Sequence, residues 1–233
     1  KGGFPHWFAY CRAVLWIDLG RQPEVETEFR AIRKLRSKRY ACLYHPFVLN
    51  KLIGGDADGT IALCRDVLGR VPEYWWFQCR MAEAHLVKGA FRQGLREFAE
   101  AEKTADPYTR QVVMTWHGEA LLWLGEYRRA LKKLEAAVHS GASVWVHCWR
   151  GAAYLKLGDL PRAIRDLDHA IKMNDQDLEA YVWRGEAYRL LGRNSEALRD
   201  LDRAVRLDGS FAWAYFNRAL VKANEDLATA QEH

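Results

Sequence analysis

Three tryptophans, Trp116, Trp149 and Trp183, recur at intervals of 33 and 34 residues, and Glu119 and Glu186 stand three places beyond the first and last of them. Glu83 falls in the same register one interval earlier, and Ala152 breaks the carboxylate series. Indoles at a repeated register offer large contact areas at low rotamer cost, which is why tryptophan is enriched at binding hot spots. Their faces attract cations, and neighbouring carboxylates would pair with them. The combination suits an extended segment carrying Lys or Arg. The same indoles would also fill gaps between neighbouring helices, and Arg80 and Arg189 lie three residues from Glu83 and Glu186, at helical pairing distance. Both readings follow from the spacing.

Catalytic spacing is missing. The chain has no HExxH, GxSxG, GxxxxGK[ST] or CxxC. His45, His85, His117 and His147 are scattered, and two histidines without a third ligand type make no metal site. The stretch Gly54-Gly55-Asp56-Ala57-Asp58-Gly59 resembles the start of a calcium loop, but Cys64 and Arg65 stand where a bidentate Glu is required. A turn, with its acids at the start of the next helix, explains it better. The sequence therefore predicts a protein that is not an enzyme, with no cofactor and no metal.

The 233 residues are 49% hydrophobic, enough for a large core, yet no run of 18 apolar residues predicts a membrane span. Five cysteines, an odd number without CxxC pairs, read as free thiols and a cytoplasmic location. The formal charge of +5 is concentrated in residues 1–40, where six of the basic residues lie between Arg30 and Arg39. A solvated helix C-terminus explains that run better than a phosphate-binding surface, which argues against a nucleic-acid partner. The opening Lys1-Gly2-Gly3-Phe4-Pro5 has neither an initiator Met nor an apolar signal region, so a segment of a longer polypeptide is expected.

Helical periodicity runs throughout. Trp183, Ala187, Leu190 and Leu191 share one helical face, as do Leu198, Leu201 and Val205. Between them, Gly192-Arg193-Asn194-Ser195 provides a glycine to end one helix and Asn194 or Ser195 to cap the next. Leu157-Gly158-Asp159-Leu160-Pro161 and Gly20-Arg21-Gln22-Pro23 repeat the device. Gly89, Gly125, Gly158 and Gly192 are spaced by 36, 33 and 34 residues, and Ala130, Ala163 and Ala197 follow the last three at five residues. A period of this length means one helical hairpin stacked on copies of itself.

Gly151-Ala152-Ala153-Tyr154 before Gly158, Gly185-Glu186-Ala187-Tyr188 before Gly192, and Gly118-Glu119-Ala120 before Gly125 make the pattern specific: the chain resembles the tetratricopeptide repeat family over essentially its whole length. The resemblance implies an all-α, right-handed superhelical solenoid over residues 1–233 as one domain. It comprises six helix pairs and a terminal helix, with repeats starting near His6, Ala41, Trp75, Gln111, Val144, Leu178 and Ala212. Pro72 and Pro107 take the family's usual proline place at the end of a unit, and Pro46 delays the first helix of repeat two. The resemblance also implies a concave groove lined by first helices. Carried over residue by residue, that groove presents Trp76, Arg80 and Glu83, then Trp116, Glu119 and Trp123, then Trp145 and Trp149, then Trp183 and Glu186, and finally Trp213. Cys79, Thr115, Cys148, Lys156, Glu179, Val182, Phe216 and Asn217 occupy further groove places. The cations of a carboxylate clamp for chaperone tails are absent, with Thr115, Glu119, Trp149, Glu179 and Trp183 at those places. The expected function is a scaffold binding a peptide or protein segment in the groove. The alternatives are a self-assembling module, favoured by the single helix of the seventh repeat, and an accessory domain that positions substrate for a fused enzyme.

Overall fold

The computed structural model describes residues 4–34, 38–141 and 144–231. They are helical, and pair as α1 (Phe4–Asp18) with α2 (Gln22–Arg33), α3 (His45–Ile53) with α4 (Ala57–Leu68), and α5 (Trp75–Val87) with α6 (Phe91–Thr104). Then follow α7 (Pro107–Trp123) with α8 (Tyr127–His139), α9 (Val144–Lys156) with α10 (Leu160–Met173), α11 (Leu178–Leu190) with α12 (Asn194–Leu207), and α13 (Ala212–Gln231). A 3₁₀ stretch, Lys38–Tyr44, precedes α3. Contacts divide the chain into two compact units, Lys1–Val113 and Met114–His233. No helix among the described residues is long and apolar enough to cross a membrane.

Six hairpin turns are built alike. Gly20, Gly55, Gly89, Gly125, Gly158 and Gly192 all have positive φ, a region that costs a residue with a Cβ roughly 1–2 kcal/mol. The residue after each glycine donates its N–H back five residues, as in Asp159 to the Tyr154 carbonyl at 2.9 Å and Arg193 to the Tyr188 carbonyl at 2.8 Å. The glycine itself donates back three, Gly158 to Leu155 at 2.9 Å. This paired motif satisfies carbonyls the helix end leaves open.

In the α7–α8, α9–α10 and α11–α12 pairs the second helix seats a large side chain on a small one. A Cβ added to Gly118, Gly151 or Gly185 would lie 2.6, 2.7 or 2.9 Å from Cγ of Leu134, Leu167 or Leu201. Those leucines are fully buried, with Ala130, Ala163 and Ala197 beside them. In the α5–α6 pair the small residues exchange places: Ala82 stands on the first helix and Gly94 on the second, and Phe98 takes the leucine position. The two kinds of helix differ accordingly. Helices α6, α8, α10 and α12 carry a distinct polar face, whereas α5 and α11 have small or apolar residues around most of their circumference. First helices pack on more than one side and second helices keep a face in water.

Several expectations need correction at the helix starts. Asn194 and Ser195 do not cap α12: Arg193 is the N-cap, without a side-chain hydrogen bond, and pairs with Glu196 instead. Asp159 and Asp56 do cap their helices, accepting from the N–H groups of Arg162 and Gly59. Pro107 opens α7 rather than closing the preceding unit, because the Asp106 carboxylate accepts from the Tyr108 and Thr109 N–H groups and starts the helix there. Pro46 lies in the first turn of α3, so that helix begins at His45, after the 3₁₀ stretch. Arg30 and Arg33 fall in the last turn of α2; the rest of the basic run lies largely outside the described side chains.

A ladder of ion pairs crosses the hairpins at a separation of 16 residues. Arg150 holds Asp166 through two hydrogen bonds of 2.7 Å, and Arg184 holds Asp200 in the same way. Arg12 and Glu28 form the corresponding pair in the first unit. Arg184 also reaches back to Asp168 at 2.6 Å, and Arg218 to Asp202 at 3.1 Å, which ties each hairpin to the one before it. Burial alone would raise the Asp166 carboxyl, but the hydrogen bonds from His147 and Arg150 outweigh it and hold it below the usual carboxylate range. Removing one partner of such a buried pair leaves an uncompensated charge. Arg184→Met is expected to destabilise the chain by roughly 3 kcal/mol, with much of the loss recovered in the Arg184→Met/Asp200→Leu double variant. Urea midpoints at constant slope measure both, and a double variant no better than the single would contradict the pairwise account.

Candidate functional site

Within the second unit, first helices bring four tryptophans together. The Trp123 ring, at the end of α7, lies 6.1 Å from those of Trp149 and Trp183 and 6.3 Å from that of Trp213. Trp183 and Trp213 meet edge to face at 4.3 Å. Trp149 and Trp183 are buried, at 7% and 1% exposure, whereas Trp123 is 58% exposed. An exposed indole leaning on buried ones has a rigid support and a free surface, which is what a hot spot needs. These rings border an open cleft of about 460 Å³ lined by Leu122, Trp123, Tyr127, Lys156, Glu179, Trp183, Phe211 and Trp213.

Charges in the cleft are arranged unevenly. The Lys156 ammonium sits 5.0 Å from the Trp183 ring centre and pairs with Glu186 at 3.0 Å. The helical spacing pointed Glu186 toward Arg189; its salt bridge is instead to Lys156, on the preceding hairpin. Glu179 has no cation against it among the described residues, and burial, with the charge of Asp177, raises its carboxyl. Asp177, which caps α11 through the Ala180 N–H, is raised by burial as well. The buried Cys148 thiol is pushed up by its burial and by the charges of Asp177, Glu179 and Glu119.

The remaining residues expected in the groove are placed as follows. Trp116 and Glu119 are half-buried on α7, and Trp145 is 56% exposed on α9 without lining the cleft. Cys79, Cys148 and Val182 are core residues, and Thr115 and Asn217 are buried polar ones. Phe216 is exposed at 60%. Tyr127 and Phe211 were not anticipated. They come from the first position of α8 and from the loop before α13, and the hint in the sequence is their closeness to Gly125 and Trp213.

The first unit gathers Trp76, Arg80 and Glu83 around an aromatic cluster. His45 stacks on Trp76 at 3.9 Å, and the Arg80 guanidinium lies 5.5 Å from the same indole while pairing with Glu83 at 2.7 Å. Burial pushes the Glu83 carboxyl up to about 7 against the pull of Arg80. Burial, reinforced by Arg80, holds His45 down at about 4. No group of three His, Cys, Asp or Glu among the described residues is placed to hold a metal.

Successive helical hairpins, closed by positive-φ glycines and packed internally through small-residue contacts, define a helical-repeat protein. Residues 150–210 match the family model for the tetratricopeptide repeat. That segment carries the family's match, and the chain as a whole shares the fold of tetratricopeptide repeat proteins. Its fold is similar to that of MamA from Desulfovibrio magneticus RS-1, with a TM-score of 0.57 and 18% identity over 73% of this chain and 96% of that one. It is also similar to YrrB, described as a TPR protein with an unusual peptide-binding site, with a TM-score of 0.53 and 16% identity over 82% and 97% of the two chains. The Cut9–Hcn1 hetero-tetramer of the APC/C gives a TM-score of 0.70 at 16% identity, over 79% of this chain and 37% of that one. No curated protein matches the chain.

The shifted groups of the first unit predict opposite pH effects. Glu83 binds its proton more tightly when folded, so its contribution to stability is fully present below about pH 4.3, the unfolded value, and is lost as pH rises through about 7. His45 binds its proton less tightly when folded, so stability falls as pH drops below about 6.5 toward about 4. Chemical denaturation from pH 4 to 8 is expected to show the Glu83 slope in the wild type and its loss in Glu83→Gln. An unchanged pH profile in that variant would remove Glu83 as the source.

Proposed function

We propose that the chain is a non-catalytic interaction scaffold that seats a peptide or protein segment in the tryptophan-lined cleft of residues 114–233. The observation that carries this reading is Trp123, exposed at the cleft mouth yet braced by three other indoles. A surface that ordered and that apolar is costly to leave in water unless something covers it. The similarity of fold to YrrB, whose description names a peptide-binding site, supports the same reading.

A second reading, self-association, draws on Tyr215 and Phe216 of α13, which are 41% and 60% exposed. Light scattering over a range of concentration separates the two, since only self-association changes the mass.

Trp123→Ala is expected to weaken a segment selected from a displayed peptide library by about 2 kcal/mol, roughly thirtyfold in Kd, without loss of fold. Trp149→Ala, at a buried indole, is expected instead to cost about 3 kcal/mol or more of stability. Calorimetric titration beside thermal unfolding checks both. Unchanged affinity in a folded Trp123→Ala/Trp213→Ala variant would sink the cleft as the binding surface.

A further inference from the structure

The cleft pairs aromatic walls with a carboxylate that the protein leaves uncompensated. Lys156 is the one cation lining it among the described residues, and Glu186 neutralises that charge at 3.0 Å. Glu179 lines the same cleft, half-buried and without a cation among the described residues. Asp177 stands two residues before it, and the field of Asp177, Glu179 and Glu119 reaches the Cys148 thiol beneath. Among the described residues at the cleft there are thus two carboxylates, Glu179 and Glu186, to the one ammonium of Lys156. This local sign opposes the chain's formal charge of +5, so it is a property of the cleft and not of the whole surface.

Resting on the reading of the cleft as a binding surface, we infer that its occupant presents a Lys or Arg side chain. The aliphatic stem lies against Trp123 and Trp213, and the cationic head meets Glu179. An exposed indole face and a partly desolvated carboxylate both favour a cation, and both disfavour an acidic side chain in the same place. Lys156 already shows that the cleft accepts a cation over an indole when a carboxylate neutralises it. A second cation on Glu179 repeats that arrangement with the charge supplied from outside.

The test selects random peptides displayed on phage against the full chain, discards those that bind Trp123→Ala equally well, and titrates the survivors into Glu179→Gln and Glu179→Lys. Circular dichroism establishes that each variant is folded. The expected result is a consensus Lys or Arg in the Trp123-dependent peptides. Affinity should fall about tenfold in Glu179→Gln and further in Glu179→Lys. Replacing that consensus residue by Gln in the peptide should cost a similar factor and leave little further effect of Glu179→Gln. Trp123-dependent peptides that are acidic or carry no basic consensus, or that keep their affinity in Glu179→Gln, overturn the inference while leaving the cleft a binding surface. A library that yields no Trp123-dependent peptide overturns both.

Discussion

A leucine pressed against a glycine sets the distance between the two helices of a pair, and the rest of the architecture is arranged around that distance. At Gly151 there is no room for even a methyl group beside Leu167, and Gly118 and Gly185 are equally confined by Leu134 and Leu201. Bringing backbones this close buries the leucine completely and makes the first helix a member of the core on more than one side. The turn glycines serve the same constraint. A reversal with positive φ and two backward hydrogen bonds lets the second helix start within four residues of the end of the first. Where the α5–α6 pair exchanges its small residues, the contact survives in reverse, with Gly94 on the second helix and Leu86 of the first as the large partner, 2.7 Å from an added Cβ. The constraint is therefore on the sum of the two side chains, not on which helix carries the glycine.

Packing first helices against several neighbours also decides where a binding surface can form. Most of an inner helix is spent on the core, so only ends and edges remain for contact with anything else. Trp123 is at the last position of α7 and Lys156 at the last position of α9, while Tyr127 opens α8 and Phe211 belongs to the loop before α13. The buried indoles of Trp149 and Trp183 form the floor on which the exposed one rests. Core and site are thus one aromatic assembly graded from dry to wet. Trp149 and Trp183 thereby follow the packing reading, and the exposed Trp123 is the member proposed for contact.

The helix pairs and their turns were legible because each depends on local chemistry that repeats: a glycine, a small residue five places on, a leucine beyond it. The start of α3 was legible too, since Pro46 can stand only in a first turn. Helix caps were less so. Asn194 and Ser195 are good cap types, but the turn geometry common to all the hairpins places Arg193 at the cap position. Pro107 was assigned to the end of a unit because the capping role of Asp106 depends on backbone direction. For the site, the frame of the tryptophans was visible, but whether each ring ends in core or in water depends on neighbours far away in sequence. The charge ladder was also readable in principle, as Arg150 to Asp166 and Arg184 to Asp200 share one interval. In sequence alone an arginine and an aspartate at that distance have no meaning until two helices are laid side by side.

Arg184 takes one aspartate from its own hairpin and one from the hairpin before, each 16 residues away in opposite directions. The arginines themselves, Arg150, Arg184 and Arg218, are 34 residues apart. Such a ladder acts as a reading frame for the growth of the array. Among these units, duplicating or deleting a whole one leaves each of these arginines opposite an aspartate, whereas one residue added between Arg184 and either of its aspartates breaks that pair. From Arg150 to Arg218, change by whole units is thereby tolerated and change by single residues penalised, so the period there holds at 34 while the turn glycines before it are spaced by 36 and 33 residues.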